Sequence, residues 1–329
     1  MKKKLAMTVL WLAALVCCLL LADKMMRRDD GERKYGAFFA DEQGFDVLFL
    51  GTSRVLDAIQ PLELWRDYGI TSYNMGNNSE PLAMTEQVLR LAMGVHKPKV
   101  AVVDVFYMSH ELYEEWTYPY RHMFVDAVPF GRAKIELVRA SLPESEWLEF
   151  LMPFSLYHGR WDEILSGKAE RMVECEPYMM GAELRPSSMW RTDYELTEEA
   201  YDHELPGAQA LRDIAALCRE NGIELVLTAL PGHASRQEQM AMNSAIPVAQ
   251  ELGVPFVNMM PMGIIDNQTD CCDYEGHLNP GGASKTTAWL GAWLTENYAL
   301  EDRRGDGAYA HWNENLKKYE ARRAEVWPQ

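Results

Sequence analysis

The sequence has no glycine-rich loop of the kind that cradles phosphates, so kinase and nicotinamide-cofactor readings find no foothold. It has no Cys-x-x-Cys pair, and the vicinal Cys271-Cys272 is not a zinc spacing. His110, His122 and His233 also lack metal-ligand spacing, so no metal and no other cofactor is expected. Positive charge is scarce: 32 Lys and Arg stand against 49 Asp and Glu, a formal net charge of −17. So acidic a surface repels phosphate backbones, which sets nucleic acid aside as a partner and argues against docking on a broad anionic membrane. At 329 residues and 48% hydrophobic, the chain can bury one sizeable core and still carry extensions.

One basic, apolar stretch is the exception. Lys2, Lys3 and Lys4 precede an apolar run from Leu5 to Ala22. At 1.5 Å per residue that run has about the length needed to cross a bilayer. The lysines predict a cytoplasmic start, with the remainder outside the cytoplasmic membrane as a single-pass protein. Lys24, Arg27 and Arg28 weaken the bias, and Asp23, Asp29 and Asp30 dilute them. The alternative is a cleaved signal peptide, but Leu20 before Leu21-Ala22 makes a poor small-x-small site. Cys17 and Cys18 fall in this segment. Cys218 sits inside a helical pattern and reads as a small buried hydrophobe, and a disulfide from Cys175 to one of the vicinal pair stays open.

Beyond a polar stretch at 29–43, short apolar runs alternate with helical spacing. Strands are expected at 45–50, 72–75, 100–105, 223–230 and 255–258. Helices are expected from Pro61 and at 83–95, 205–220, 234–252 and 281–298. Residues 106–200 break the rhythm with Tyr, Trp, His and Met, and read as a helical insertion with helices near 133–141 and 146–151. The tail 301–329 is polar, with Trp312 and Tyr319 as docking residues. Strands alternating with helices imply an α/β domain with a largely parallel sheet, whose ligands bind beyond the carboxyl ends of the strands.

Those ends carry suggestive residues. Gly51-Thr52-Ser53-Arg54 follows the first strand, and Gly76-Asn77-Asn78-Ser79 the second. Asp270-Cys271-Cys272-Asp273-Tyr274-Glu275-Gly276-His277 precedes the last helix. A serine on a tight turn needs a base to take its proton and N–H donors for the oxyanion, and a histidine held by an aspartate supplies the base. Gly-Thr-Ser-Arg-Val resembles the first block of the SGNH (GDSL-like) hydrolases, whose Gly-x-Ser serine is the nucleophile. Asn74-Met75-Gly76 resembles the second block, and Asp273 through His277-Leu278-Asn279 to Gly282 resembles the last.

This resemblance implies a three-layer α/β sandwich with a mostly parallel sheet, SGNH or flavodoxin-like. With the apolar start read as a transmembrane anchor at 1–28 and the polar stretch as a linker at 29–43, the domain spans 44–300. The resemblance implies Ser53 as nucleophile, His277 as base, Asp273 as its orienting acid, and an oxyanion hole from Ser53, Gly76 and Asn77. Tyr157-His158-Gly159-Arg160-Trp161 and the Trp312-containing tail resemble a bacterial membrane-anchored branch. That branch includes proteins of alginate O-acetylation and teichoic-acid D-alanylation, which cooperate with membrane-bound O-acyltransferases. Arg54, His158 and Arg160 are candidate substrate contacts; for Arg54 a buried ion pair, and for the others packing of the insertion, is the alternative. The family's third block, Gly-x-Asn-Asp, is replaced by Asp104-Val105-Phe106-Tyr107, so Asn77 or Asn78 stands in as donor. The family aspartate position, three before the histidine, is Tyr274, which leaves Asp273 favoured and Asp270 open. The expected activity is ester hydrolysis or O-acyl transfer on cell-surface polysaccharide. The contrasting possibility is a non-catalytic glycan-binding scaffold for a membrane acyltransferase.

Overall fold

The computed structural model describes residues 2–26, 32–166, 176–189 and 194–328. In chain order, α1 (Lys2–Met26) and α2 (Glu32–Ala40) precede β1 (Val47–Leu50). There follow α3 (Ser53–Ala58), α4 (Pro61–Tyr68), β2 (Ser72–Asn74), α5 (Leu82–Met93) and β3 (Val100–Asp104). A helical stretch comes next: α6 (Tyr118–Ala127), α7 (Arg132–Ser141), α8 (Trp147–Leu151), α9 (Phe154–Tyr157) and α10 (Trp161–Ser166). Alternation resumes with α11 (Gly207–Asn221), β4 (Glu224–Ala229), α12 (Arg236–Asn243), α13 (Ala245–Leu252) and β5 (Phe256–Asn258). The chain closes with α14 (Pro280–Asn297) and α15 (Ala310–Val326).

The five strands form one all-parallel sheet in the order β2-β1-β3-β4-β5. Val47 pairs with Ser72 on one side and Val100 on the other, and Val100 pairs with Glu224. β1, β2 and β3 are buried at every position, and β4 after its first residue. Burial on both faces is why these strands read as unbroken apolar runs rather than as alternation. Val47, Phe49, Val100, Val102 and Val226 pack with Leu64, Leu290 and Leu294 in one cluster, which seats α4 and α14 against the sheet. The strand order reverses between β1 and β3, the place where open parallel sheets leave a crevice at their carboxyl ends.

The chain divides into two compact units, one of Met1–Arg33 with His122–Glu174 and one of Lys34–Arg121 with Cys175–Gln329. The expected insertion at 106–200 is therefore narrower. Val105, Met108 and Thr117 are buried in the sheet unit, and the returning chain bonds to it through Asn74 N–H to Met180 O and Glu183 N–H to Leu56 O.

The expected linker at 29–43 is corrected over its middle, because residues 32–40 form α2. Tyr35 and Phe38, three apart, face one way and are buried, and Phe38 packs on Phe45, Tyr73 and His96. The single helix expected at 234–252 is two. It breaks at Ser244, three residues before Pro247, so that the proline's missing N–H falls in a first turn where no intrahelical bond is lost. In the tail, α15 buries Trp312 and Tyr319, and the Tyr319 hydroxyl donates to Glu63 Oε1 at 2.6 Å. Cys218 is buried as expected; Cys175, and with it the open disulfide, lies outside the described residues.

Candidate active site

β1 ends at Leu50, and Gly51 turns the chain with φ +139°, a conformation that disfavours a side chain. Thr52 caps α3, its hydroxyl accepting the Arg54 N–H at 3.3 Å. Ser53 is thus the first residue of α3, and its own N–H is one of the donors that a helix start leaves without an intrahelical partner.

The Ser53 Oγ lies 2.7 Å from His277 Nε2, and His277 Nδ1 lies 2.6 Å from Asp273 Oδ2. Asp273 Oδ1 accepts the N–H groups of Glu275 at 2.9 Å and His277 at 3.3 Å, which fixes the carboxylate within its own turn. Gly276 closes that turn at φ +82°, where a Cβ would lie 2.4 Å from His233 O. Burial opposes charge on Asp273, but the hydrogen bond with His277 and the two N–H donors outweigh it. The carboxyl is held well below the usual carboxylate range. Asp270 has other partners: it accepts from Lys285 Nζ at 2.6 Å and from Asp266 N–H at 2.7 Å. Between the two open aspartates, the one bonded to His277 is therefore Asp273.

Sequence reasoning missed three charged residues behind this pair. Asp57, one turn after Ser53 on α3, is buried; its Oδ1 accepts the Leu278 N–H at 3.4 Å. Arg185 Nε lies 3.4 Å from Asp57 Oδ2 and 3.6 Å from Glu183 Oε2, and Arg185 Nη1 lies 3.7 Å from Asp273 Oδ2. Burial pushes the Asp57 carboxyl up to about 7, although His277 and Arg185 pull it back. Burial also raises Glu183. The i, i+4 spacing of Ser53 and Asp57 was the available signal, since it puts both on one helix face. Arg185, in the irregular return segment, had none.

The glycine block lies against the first turns of α3. A Cβ on Gly76 would sit 2.8 Å from Thr52 O and 2.9 Å from Leu56 N. The oxyanion donors expected there are bonded within the fold. The Gly76 N–H donates to Asn74 Oδ1 at 3.0 Å and the Asn77 N–H to Gly51 O at 2.9 Å. The Asn77 amide donates to Met75 O at 3.0 Å and Glu80 Oε2 at 2.5 Å, while its oxygen accepts from Tyr35 OH at 3.0 Å. Asn78 makes no hydrogen bond within the described residues. At the carboxyl end of β3, Asp104 accepts the N–H groups of Leu230 at 3.1 Å and Phe106 at 3.2 Å, pinning the ends of β3 and β4. Its carboxyl is pushed up to about 6 by burial.

Arg54, a candidate substrate contact, is engaged within the fold. It is 3% exposed, its Nη2 donates to His233 O and to Glu275 O, and its guanidinium lies 3.9 Å over the Phe106 ring. It clamps the turn that carries Ser53 to the loop that carries His277. His158 and Arg160 belong to the first unit, where Arg160 Nη1 donates to Met26 O at 2.9 Å and Nε to Glu163 at 3.1 Å. Among the described residues no group of three or more His, Cys, Asp or Glu is placed to hold a metal ion.

Compared with protein-family models and with curated proteins, the chain matches none. Its function is therefore argued from the site alone.

Proposed function

We propose that this chain is a membrane-anchored serine esterase or O-acyltransferase of the SGNH type, acting outside the cytoplasmic membrane on acyl groups of cell-surface polysaccharide. The observation that carries the proposal is the unbroken Ser53–His277–Asp273 hydrogen-bond chain at the carboxyl end of β1. The strand order fits the three-layer, flavodoxin-like sandwich of that superfamily. α1, with 21 residues of mean hydropathy 2.6, fits the anchor.

In this mechanism His277 Nε2 takes the Ser53 proton as Oγ attacks the ester carbonyl, and Asp273 stabilises the imidazolium. The oxyanion is held by the Ser53 N–H at the start of α3. The Gly76 N–H joins it by leaving Asn74 Oδ1, and Asn78 is the nearest uncommitted amide in the sequence. Collapse returns the proton to the departing alcohol and leaves an acyl-Ser53 ester. Water or a sugar hydroxyl then attacks that ester, again through His277, and Ser53 is regenerated.

The occupied Gly76 and Asn77 donors favour one second reading, a non-catalytic glycan-binding partner of a membrane-bound O-acyltransferase. p-Nitrophenyl acetate separates the two. The intact protein is expected to hydrolyse it and Ser53→Ala to fall to the uncatalysed rate; equal rates from both would favour the scaffold.

A further inference from the structure

α1 offers an apolar stretch, Lys3–Asp23, whose apolar side chains stay unburied, while Asp23 at its end is buried. Its carboxyl end is different. α9 and the short helical turn after it, His158–Arg160, pack against α1, and Arg160 donates to the Met26 carbonyl at the last residue of the helix. Residues 154–166 are thereby tied to the end of the apolar helix, within the first unit.

This tied segment exposes apolar side chains. Trp161 and Leu165 are one turn apart on α10 and share a face, at 53% and 77% exposure, and Leu156 on α9 is 43% exposed. Asp162 and Glu163 fall off that face. Three apolar side chains of this size left in water forgo the free energy that burial would gain. Tryptophan favours the membrane–water interface, where its ring is in hydrocarbon and its N–H is wet.

We propose that the Trp161–Leu165 face of α10, together with Leu156, is immersed in the headgroup and upper acyl region of the bilayer crossed by α1. The occupant is lipid because this face lies on the segment that Arg160 and α9 tie to the end of the span. The contact is apolar, so it does not require anionic lipid, in keeping with a chain of net charge −17. The inference rests on the reading of α1 as a span and is independent of the chemistry at Ser53.

The test uses the full chain in nanodiscs of phosphatidylcholine, with its six cysteines replaced by serine. Leu156→Cys, Leu165→Cys and, in mid-span, Leu12→Cys are each labelled with a nitrobenzoxadiazole dye and quenched with spin-labelled lipid. Labels at 156 and 165 are expected to lose more emission to lipid labelled near the headgroup, and the label at 12 to lipid labelled deep in the chain. Quenching at 12 but not at 156 and 165 overturns the proposal. Water-like emission at those two sites then means a bare surface, and blue-shifted emission means a protein cover. No quenching at 12 removes the span and the proposal with it, while leaving esterase activity unaffected. With the native cysteines kept, Trp161→Phe is expected to reduce the tryptophan emission that brominated lipid can quench; no reduction contradicts the immersed face.

Discussion

Ser53 and Asp57, one turn apart on one face of α3, hold two consecutive residues of the same segment. Ser53 Oγ meets His277 Nε2 at 2.7 Å, and Asp57 Oδ1 accepts the neighbouring Leu278 N–H at 3.4 Å. The six-residue helix therefore carries both the candidate nucleophile and a buried carboxylate that grips the base's own strand of chain.

Asp57 also sets a pH dependence of stability. Its carboxyl titrates near 3.8 when unfolded and is raised to about 7 when folded, chiefly by burial. Between those values the folded state holds the proton and the unfolded state does not, so stability falls as pH rises through that window. Asp57→Asn keeps an acceptor for Leu278 and removes the titration. The melting temperature of the variant, relative to wild type, is expected to be higher at pH 8 than at pH 5. An equal difference at both pH values would contradict this.

The two aspartates of the loop separate by experiment. Asp273→Asn is expected to lower turnover of an ester by roughly 10²–10⁴-fold, because His277 loses the group that orients it and stabilises its charge. Asp270→Asn loses the partner of Lys285 and is expected to shift the melting temperature while turnover stays within about threefold of wild type, since Asp270 does not contact the base. Turnover measured beside melting curves distinguishes them.

Arg54→Met tests the clamp. Releasing His233 O and Glu275 O is expected to lower kcat, as the His277 loop loses its tie to the serine turn, with KM for a small neutral ester little changed. A rise in KM with kcat intact would instead mark Arg54 as a substrate contact.

Gly76→Ala tests close packing. Its Cβ would lie under 3 Å from the backbone of Thr52 and Leu56, atoms that cannot swing aside. Overpacking of this kind costs about 1–3 kcal/mol, readable as a lower urea midpoint. A variant as stable as wild type would show that the approach of β2's end to α3 is looser than described.

Much of this was legible beforehand, for identifiable reasons. Strands buried on both faces leave unbroken apolar runs, so β1 and β3 stood out. Serine and histidine blocks at strand ends kept their order, which was enough to pair Ser53 with His277 across 224 residues. What was hidden depended on side-chain direction. The charges of Glu32, Arg33 and Lys34 masked the Tyr35 and Phe38 stripe that makes 32–40 a helix. Asn74 read as a strand residue, yet its side chain turns back to take the Gly76 N–H and to donate to Val55 O and Ile59 O. Nothing in residue order reveals that rotation. Arg185 lies 128 residues after Asp57 in a segment without periodicity, and only the fold brings the two together.

The central claim is that Ser53 is a nucleophile activated by His277. The most direct measurement is labelling of the intact, membrane-inserted protein with a fluorophosphonate, followed by mass mapping of the adduct. The account predicts an adduct on Ser53 in the wild type and its loss in a folded His277→Ala variant. A folded wild-type protein that leaves Ser53 unlabelled, or a His277→Ala variant that labels at the same rate, would contradict it.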